Sequence, residues 1–585
     1  MSIGNVINNK YMSDFEIRAL EIHSIHAWDF LWIIKSMDFI ERNNMNSLVL
    51  HRNDFIDLII YPPKYFGANS RKPSETMYDQ YNDIFRNLYK YTPTRRSGPI
   101  HRRAFLKRVL HEAAKRRIFV YIENKELFFP DIILELNPHL LKKGSICASD
   151  PFWWEFIKEK YHDFFLEFPQ ISGIITSPGT GESRLSINSN RCKCARCKRT
   201  SKQDWYENLL NAMYEPIKKA SSKLIVRDFV FDPTAQAELA AVMTRMPEDV
   251  VLALKNTPHD FYPTFPENPR IGNVGNHEQW IEFDAMGQYF GWGIGIADLT
   301  EDYRKRLTNA KNKGAAGAIF RTDWESLDGQ SSFYTPNLIN QYAGAAIADN
   351  LKIDNEDIYR KFLEDENWFL LDTSEEEKKQ AINWFMTIMS KTWSVTSRTP
   401  YVNECVFSDS SLAPLGLEHA YWLSEEKNSL RDWDKSKWEA LSPVWDNVIQ
   451  AIAEKESALE DITTLISKFG QKPDMIKQEK YSDLKERLLI NKVYVRLFKT
   501  VVTAIVLTRY LLKTNEDRNG KSFQKAKVMI TPALEDILNL RTEICKFYID
   551  TSYTPHIIYT LMDPDRLTAL YNNLVKNLKA GGLLQ

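Results

Sequence analysis

The amino-acid sequence predicts an α/β protein, a (β/α)8 TIM barrel followed by an all-α C-terminal domain. The first 345 or so residues alternate eight short apolar runs with amphipathic segments, and strand-like runs fade after about residue 350. Apolar runs with polar ends are typical of buried parallel strands, and eight of them within about 310 residues fit a barrel. We expect the barrel over residues 1–345 and the helical domain over residues 346–585. The predicted strands are 18–24, 46–54, 117–124, 171–177, 223–231, 249–256, 279–285 and 317–324.

Helix-like segments follow most of these strands, and they dominate the last third of the chain. "WDFLWIIKSMDFIERN" (28–43) follows the first strand, and "ESALEDITTLISKF" (456–469) repeats apolar residues at three- and four-residue spacing. The helical domain could pack under the barrel, form a homodimer interface, or contribute a loop to a cleft. Its predicted helices are 354–370, 374–392, 434–469, 480–514, 530–549 and 563–579.

Composition and charge exclude several classes of partner. The formal net charge is −1, which argues against nucleic acid, because nucleic-acid-binding domains carry a basic surplus. The most apolar stretch, 493–512, carries Arg496, Lys499 and Arg509 and therefore predicts a buried helix, not a membrane span. The N-terminal residues lack the apolar run of a signal peptide. We expect a cytoplasmic protein, or a periplasmic one if a signal peptide was removed.

Three of the six cysteines crowd into "CKCARC", as Cys192, Cys194 and Cys197. They could hold zinc with a fourth ligand from elsewhere, since a structural site needs four ligands, and the sequence does not identify the fourth. Reduced thiols in a loop before a helix are the alternative. The sequence lacks a nucleotide-binding glycine fingerprint, a nucleophile elbow and a metalloprotease helix, which removes the main competing enzyme classes. No cofactor is expected.

Every predicted strand ends in side chains that bind or ionise. In "VLALKNTPHDFYP" (251–263), for example, the apolar run stops at Lys255 and is followed by further polar residues. All eight carboxyl-terminal strand ends of a barrel face one mouth, where active sites are built. Singly, each of these residues is as well explained as part of the wall. The expected substrate-binding residues are His23, His51, Arg52, Arg227, Lys255, Asn256, His259 and Trp324.

Three carboxylates near these strand ends suit the hydrolysis of a glycosidic bond. This reaction needs one carboxyl group to donate a proton to the leaving oxygen and a second to activate water or attack directly. Glu182 lies on a glycine-rich loop after strand four and fits the acid, whereas Asp260 and Glu282 fit the base. The alternative for each one singly is a surface salt bridge or a helix cap.

Several segments resemble glycoside hydrolase family 67, the xylan-debranching α-glucuronidases. "KNTPHDF" (255–261) is similar to a Lys-Asn-Gly-Pro-x-Asp-Phe run of that family, with Thr257 in place of the glycine. "EFDAMGQYFG" (282–291) is similar through Glu282, Tyr289 and Gly291. "IVRDFVFDP" and "DPFWWEF" resemble further segments next to strands five and four.

The resemblance implies an inverting hydrolase that removes a terminal, α-linked uronic acid from a plant or algal glycan. Glu182 would be the acid, Asp260 and Glu282 would direct and deprotonate water, and Arg227 would contact the substrate. Pro178 and Gln288 depart from the family, which has a lysine and a glutamate there. The lysine helps to hold the glucuronate carboxylate, so Lys255, Arg52, Arg227 or Arg321 could replace it.

Other functions stay open at this point. The sugar could be neutral, or the barrel could be an inactive module that binds a glycan without turnover. A helical interaction protein, with the barrel as scaffold, would instead oligomerise without affinity for sugar. Because all three carboxylates are present, the sequence favours the hydrolase.

Overall fold

The fold was analysed in a computed structural model of the chain. The structure describes residues 13–66, 93–125, 127–142, 144–188, 192–230, 233–324, 327, 329–425, 439–550 and 555–584. The predictions for the N-terminal residues 1–12, including the absence of a signal peptide, lie outside the described residues. The start of the predicted helix 434–469 and the end of the predicted strand 223–231 lie outside them too.

Eight parallel strands close into a barrel in chain order, with the last strand paired to the first. Seven fall within the ranges predicted from the sequence, the first begins one residue before its predicted start, and the predicted (β/α)8 architecture is confirmed. They are β1 (Ile17–Ile22), β2 (Ser47–His51), β3 (Phe119–Glu123), β4 (Gly173–Thr176), β5 (Lys223–Arg227), β6 (Val251–Lys255), β7 (Gln279–Asp284) and β8 (Gly317–Arg321).

Helices surround this barrel, and their ends carry the expected local signals. Asp29 caps the first helix by accepting hydrogen bonds from the backbone N–H groups of Leu31 and Trp32. Ser201 and Asp204 form a reciprocal capping box. These helices are α1 (Phe30–Arg42), α2 (Pro63–Phe66), α3 (Pro93–Lys115), α4 (Ile132–Leu136), α5 (Phe152–Glu167), α6 (Ala195–Arg199), α7 (Lys202–Lys219), α8 (Pro233–Met243), α9 (Thr300–Asn312) and α10 (Leu338–Asp349).

The remaining part of the chain is helical, as the sequence predicts, apart from a short hairpin of Tyr401–Val402 with Cys405–Val406. No helix among the described residues combines the length and apolar character that crossing a membrane requires. The helices are α11 (Asn355–Asp365), α12 (Glu375–Met389), α13 (Thr392–Thr396), α14 (Leu417–Glu425), α15 (Trp445–Phe469), α16 (Gln478–Lys513), α17 (Lys521–Asp550), α18 (Pro555–Leu561) and α19 (Pro564–Ala580).

The C-terminal helices contact the barrel at its mouth, through the loop that follows β7. Trp292 and Ile294 from this loop belong to the same apolar core as the long helix α16. Two hydrogen bonds reinforce that contact: Asn491 Nδ2 donates to the Ile294 carbonyl at 2.9 Å, and the Gly291 N–H donates to Ser411 Oγ at 2.9 Å. The helical part is therefore positioned to contribute to whatever site the mouth contains.

Apolar side chains fill the barrel interior, so the lower barrel is a packed core. Large and small residues alternate between neighbouring strands, as Trp280 on β7 lies opposite Gly317 on β8. The interior residues are Ile17, Ala19, Val49, Tyr121, Ile175, Ile225, Val251, Ala253, Trp280 and Ile319.

Replacing Gly317 with alanine tests this packing. The added Cβ would lie 2.5 Å from Cδ1 of the buried Trp280 ring, which has no room to move in the filled barrel. We expect Gly317→Ala to lower the free energy of unfolding by about 1–3 kcal/mol, the usual cost of overpacking. Urea unfolding monitored by circular dichroism measures it.

The matched control is Gly98→Ala in helix α3, where the new Cβ meets only the flexible end of Arg102. There, the gain in helix propensity is opposed by the restriction that Pro99 places on the residue before it, so we expect stability to change by less than about 1 kcal/mol. Equal behaviour of the two variants would contradict the packing argument.

Candidate active site

A layer of charged side chains covers the apolar interior at the carboxyl-terminal end of the barrel. Side chains in a strand alternate between its two faces, so a residue two positions after an interior one also points inward. Ala253 and Lys255, or Trp280 and Glu282, are such pairs. The layer contains Glu21, His51, Glu123, Arg227, Lys255, Glu282 and Arg321, all of them buried.

Arg227 connects two carboxylates at the centre of this layer. Its Nε and Nη2 donate to the two oxygens of Glu282 at 2.7 and 2.6 Å, and its Nη1 donates to Glu123 Oε1 at 2.7 Å. Burial raises the pKa of Glu123 to about 7, although the guanidinium opposes that shift. Burial lowers the pKa of Arg227, but Glu123 and Glu282 outweigh it, so the guanidinium stays charged.

His51 continues this chain of contacts toward β1. Its Nδ1 lies 2.8 Å from Glu21 Oε1, and its Nε2 lies 3.2 Å from Glu123 Oε1. The ring stacks on His23, with 3.5 Å between centroids and 10° between planes. Burial, reinforced by His23 and the nearby cations, lowers the pKa of His51 well below its usual range. His51 is therefore a neutral part of the wall that bridges two acids.

Asp260 is held in its ionised form at the edge of the layer. Lys255 Nζ donates to its Oδ1 at 2.5 Å, and Tyr289 Oη donates to its Oδ2 at 2.5 Å. Burial raises the pKa of Asp260, but Lys255, His259 and the hydrogen bonds outweigh it, so the pKa falls below its usual value. Burial lowers the pKa of Lys255 to about 8 and that of His259 to about 4, so His259 is neutral.

Arg321 supplies a second cation beside Asp260. Its Nη2 lies 2.9 Å from Gln288 Oε1 and 3.1 Å from Asp284 Oδ2, and the guanidinium lies over the Phe261 ring at 4.7 Å. Burial lowers the pKa of Arg321, but Asp284 and other acids outweigh it and raise it. Among the described residues, Nη1 has no hydrogen-bond partner, which leaves a donor for a ligand.

Glu182 lies higher, on the loop after β4. Its side chain is 40% exposed and forms an ion pair with Lys125, which follows β3. Gly181, with φ +71°, allows the turn that presents it, and the Glu182 N–H donates to Thr180 Oγ1 at 3.2 Å. The loops after two neighbouring strands thus meet at this carboxylate.

The C-terminal part completes the site with Asp409, Ser410 and Trp422, which sequence reasoning did not identify individually. Ser410 Oγ accepts a hydrogen bond from Gln288 Nε2 at 3.4 Å, and its carbonyl accepts one from Trp292 Nε1 at 2.8 Å. Burial raises the pKa of Asp409. The only sequence signal is a long irregular segment, residues 393–422, within the helical domain that we expected could contribute a loop to a cleft.

These side chains enclose a cavity of about 380 Å³, a size typical of small-ligand sites. Of the predicted site residues, seven line this cavity: His23, Glu182, Arg227, Lys255, His259, Asp260 and Trp324. Further lining residues are Lys125, Phe229, Tyr262, Gln288, Tyr289, Arg321, Asp409, Ser410 and Trp422.

The other four predicted residues do not line the cavity. Glu282 and His51 lie in the charged layer beneath it. The backbone N–H of Asn256 donates to the Glu282 carbonyl at 3.0 Å, behind the wall. Arg52 pairs with Asp54 at 3.1 Å and is partly exposed.

Among the residues that the structure describes, two groups of side chains converge closely enough to hold a metal ion. Glu21, His23 and His51 place one donor atom each within 4.8 Å of one another, but the guanidinium of Arg227 near them disfavours a further cation. The second group consists of four cysteines outside the cavity.

The contacts of Arg227 with Glu123 and Glu282 predict that an Arg227 variant loses stability to a degree that depends on pH. Arg227→Met would leave Glu123 and Glu282 buried without their counter-charge, so we expect the free energy of unfolding to fall by about 3–5 kcal/mol at pH 8. The deficit should shrink toward pH 5. A carboxyl whose folded-state pKa is raised, here Glu123 at about 7, stabilises the fold when protonated and loses that contribution as pH rises.

Urea unfolding of both proteins between pH 5 and 8 measures this loss. Lys218→Met is the control, because it removes an exposed partner of Asp249 and should change stability by about 0–1 kcal/mol at either pH. A deficit for Arg227→Met that is independent of pH would contradict the assignment.

Comparisons with known proteins show the fold. No protein-family model matches the sequence, and no curated protein matches it either. A solved enzyme of glycoside hydrolase family 138, which targets pectin rhamnogalacturonan II, has a TM-score of 0.60 at 12% identity; the match covers 97% of this chain and 83% of that one. The shared fold therefore spans the barrel and the helical part.

Other solved structures are less similar. The β-N-acetylhexosaminidase of Bacteroides fragilis has a TM-score of 0.38 at 14% identity, covering 61% of this chain and 70% of that one. The family 20 exo-β-N-acetylglucosaminidase of Vibrio harveyi has a TM-score of 0.36 at 11% identity, covering 60% and 56%. At these TM-scores, the two structures support no inference about this chain. The resemblance to family 67 stays a prediction.

Proposed function

We propose that this protein is an inverting glycoside hydrolase that removes a terminal uronic acid from a plant or algal oligosaccharide or polysaccharide, in the manner of an α-glucuronidase. One observation carries the proposal. Glu182 and Asp260 line the same cavity at the barrel mouth, together with the cations Lys255 and Arg321. Two carboxyl groups supply the acid and base of glycoside hydrolysis, and cations suit an acidic sugar.

Glu182 is proposed as the general acid and Asp260 as the base that activates water. Lys255 and Tyr289 keep Asp260 ionised and fix its orientation. To donate a proton to the leaving oxygen, Glu182 must exchange its contact with Lys125 for the substrate. Its partial exposure near the rim suits that exchange.

Glu282 is proposed to act through Arg227 and not on water directly. Both of its oxygens accept hydrogen bonds from that guanidinium, and the carboxylate lies beneath the cavity. The sequence assigned the base role to Asp260 and Glu282 together. We now assign the activation of water to Asp260 alone, and Glu282 holds Arg227 in place.

Arg321 is the proposed partner of the sugar carboxylate. Arg227 is engaged by Glu123 and Glu282, whereas Arg321 lines the cavity and its Nη1 remains available among the described contacts. A guanidinium can bind a carboxylate with two parallel hydrogen bonds. The fold shared with an enzyme that targets a pectin supports an acidic glycan, because pectins are rich in uronic acids.

Proton NMR of the reaction tests the proposal. The protein is incubated with oligosaccharides capped by α-linked glucuronate or galacturonate, and with matched neutral oligosaccharides. We expect the uronic acid to appear first as the β-anomer, as inversion requires. Glu182→Gln and Asp260→Asn should each lower the rate by about 10²–10⁴-fold. Glu207→Gln is the control, because its carboxylate pairs with Arg245 on the exposed surface.

The possible outcomes separate the alternatives. Release of the α-anomer first would show a retaining mechanism instead of an inverting one. Release of a neutral sugar only would show that the substrate is not a uronic acid. Binding without turnover on either panel would favour an inactive glycan-binding barrel. Near-wild-type rates in Glu182→Gln or Asp260→Asn would remove that residue from the mechanism.

Arg321→Leu tests recognition of the uronate. Losing a charged hydrogen-bond partner costs about 1.5–3 kcal/mol, so we expect kcat/KM to fall by about 10- to 100-fold on uronate-capped substrates, mostly through KM. Any slow turnover of the corresponding neutral sugar should change much less. Arg321→Lys keeps the charge and should recover part of the affinity, provided thermal unfolding shows that both variants fold. An equal loss on acidic and neutral substrates would contradict the assignment.

A further inference from the structure

Four cysteines that the sequence separates come together outside the cavity. Cys147 follows a two-stranded hairpin (Leu141–Lys142 with Ser145–Ile146) in the loop between β3 and α5. Cys192, Cys194 and Cys197 lie in the next loop, between β4 and α7. We propose that these four residues bind a structural Zn²⁺ ion that joins the two loops. The proposal does not rest on the proposed hydrolase function.

The sulfur positions suit a tetrahedral site. Cys147 Sγ lies 3.5 Å from Cys197 Sγ and 3.7 Å from Cys194 Sγ, and all four sulfurs lie within 4.8 Å of one another. A zinc ion with four Zn–S bonds of about 2.3 Å places its sulfurs about 3.8 Å apart. A disulfide would need a separation of about 2.0 Å. Cys147, Cys192 and Cys197 are buried against one another, and Cys194 packs against them and is the most exposed of the four.

The backbone around the sulfurs is held in place by hydrogen bonds within the protein. Cys194 is the N-cap of α6, and its Sγ accepts a hydrogen bond from the Cys197 N–H at 3.5 Å. On the other side, Trp153 Nε1 donates to the Cys147 carbonyl at 3.0 Å. Trp205 Nε1 donates to the next carbonyl, that of Ala148, also at 3.0 Å. Buried indoles from two helices thus fix the loop that carries Cys147.

The surrounding charges complement a tetrathiolate site. Four thiolates with one Zn²⁺ carry a net charge of −2, and binding releases the four thiol protons. Lys193, Arg196, Lys198 and Arg199 alternate with the cysteines in sequence and are exposed around the cluster. Such a basic surround stabilises the negative centre through the Coulomb interaction.

Complete ligation by protein indicates a structural ion. Catalytic zinc sites keep one coordination position open, whereas four cysteines close the shell. None of the four lines the cavity. The ion instead links the loop that carries Lys125 to the loop that carries Glu182, and these two residues form an ion pair. Backbone hydrogen bonds between Leu127 and Leu185 join the same two loops.

Metal analysis of the full-length protein tests the proposal. The chain is purified without chelators under reducing conditions with zinc supplied, and metal is quantified by plasma mass spectrometry. We expect close to one zinc per chain, falling at least tenfold in Cys147→Ala and in Cys197→Ala. Cys545→Ala is the matched control, because this half-buried cysteine lies in α17, outside the cluster, and should leave the zinc content unchanged.

A second measurement covers the case in which the cluster variants fail to fold. Wild-type protein exchanged with Co²⁺ should show the intense visible and thiolate charge-transfer bands of a tetrahedral tetrathiolate complex, which zinc then abolishes. Wild-type protein without zinc after this purification, a stoichiometric iron content, or a disulfide among the four cysteines by mass spectrometry would overturn the proposal. Zinc retained in Cys147→Ala would overturn the assignment of the fourth ligand.

Discussion

The contact of the Arg227 guanidinium with Glu123 and Glu282 is the interaction on which the arrangement of the mouth depends. Three carboxylates, Glu21 included, lie in an interior that excludes water, where an uncompensated charge costs several kcal/mol. Arg227 compensates two of them directly, with donor distances of 2.6–2.7 Å. Because these contacts join strands β3, β5 and β7, they also fix the layer of buried side chains beneath the cavity, on which a substrate would rest.

Strand periodicity explains how much of this could be predicted from sequence. The eight strands and their polar ends follow from apolar runs and from alternation, and seven predicted residues line the cavity. The sequence does not show how charges are paired. Glu282 and Asp260 look alike as carboxylates near strand ends, yet Glu282 is bound by Arg227 beneath the cavity while Asp260 borders the cavity. Whether an acid lies beneath the cavity or borders it depends on partners from other segments, and periodicity carries no such information.

Residues from distant segments escaped prediction for a related reason. Asp409 and Ser410 come from the helical part, and Cys147 lies in a different loop from the other cysteines. Local patterns predict local structure, whereas these contacts arise from the docking of the C-terminal helices on the loop after β7 and from the pairing of neighbouring loops. The irregular segment before α14 was a visible signal, because a long stretch without periodicity between helices needs a role in packing or binding.

The mouth can be understood as two layers with different physical requirements. The lower layer is buried, and Arg227, Glu123 and Glu282 in it are paired within the protein, whereas Arg321 in the same layer keeps a donor for a ligand. The upper layer contains Glu182, Lys125 and Asp409, which come from loops and from the C-terminal part. A general acid must change its proton and its partner during turnover, which a fully matched buried group such as Glu282 cannot do without a large energetic cost. The proposed acid, Glu182, comes instead from a loop, and a loop that positions an acid needs its own anchor. The four-cysteine cluster, at the far end of the loop that carries Glu182, meets that requirement without occupying the cavity.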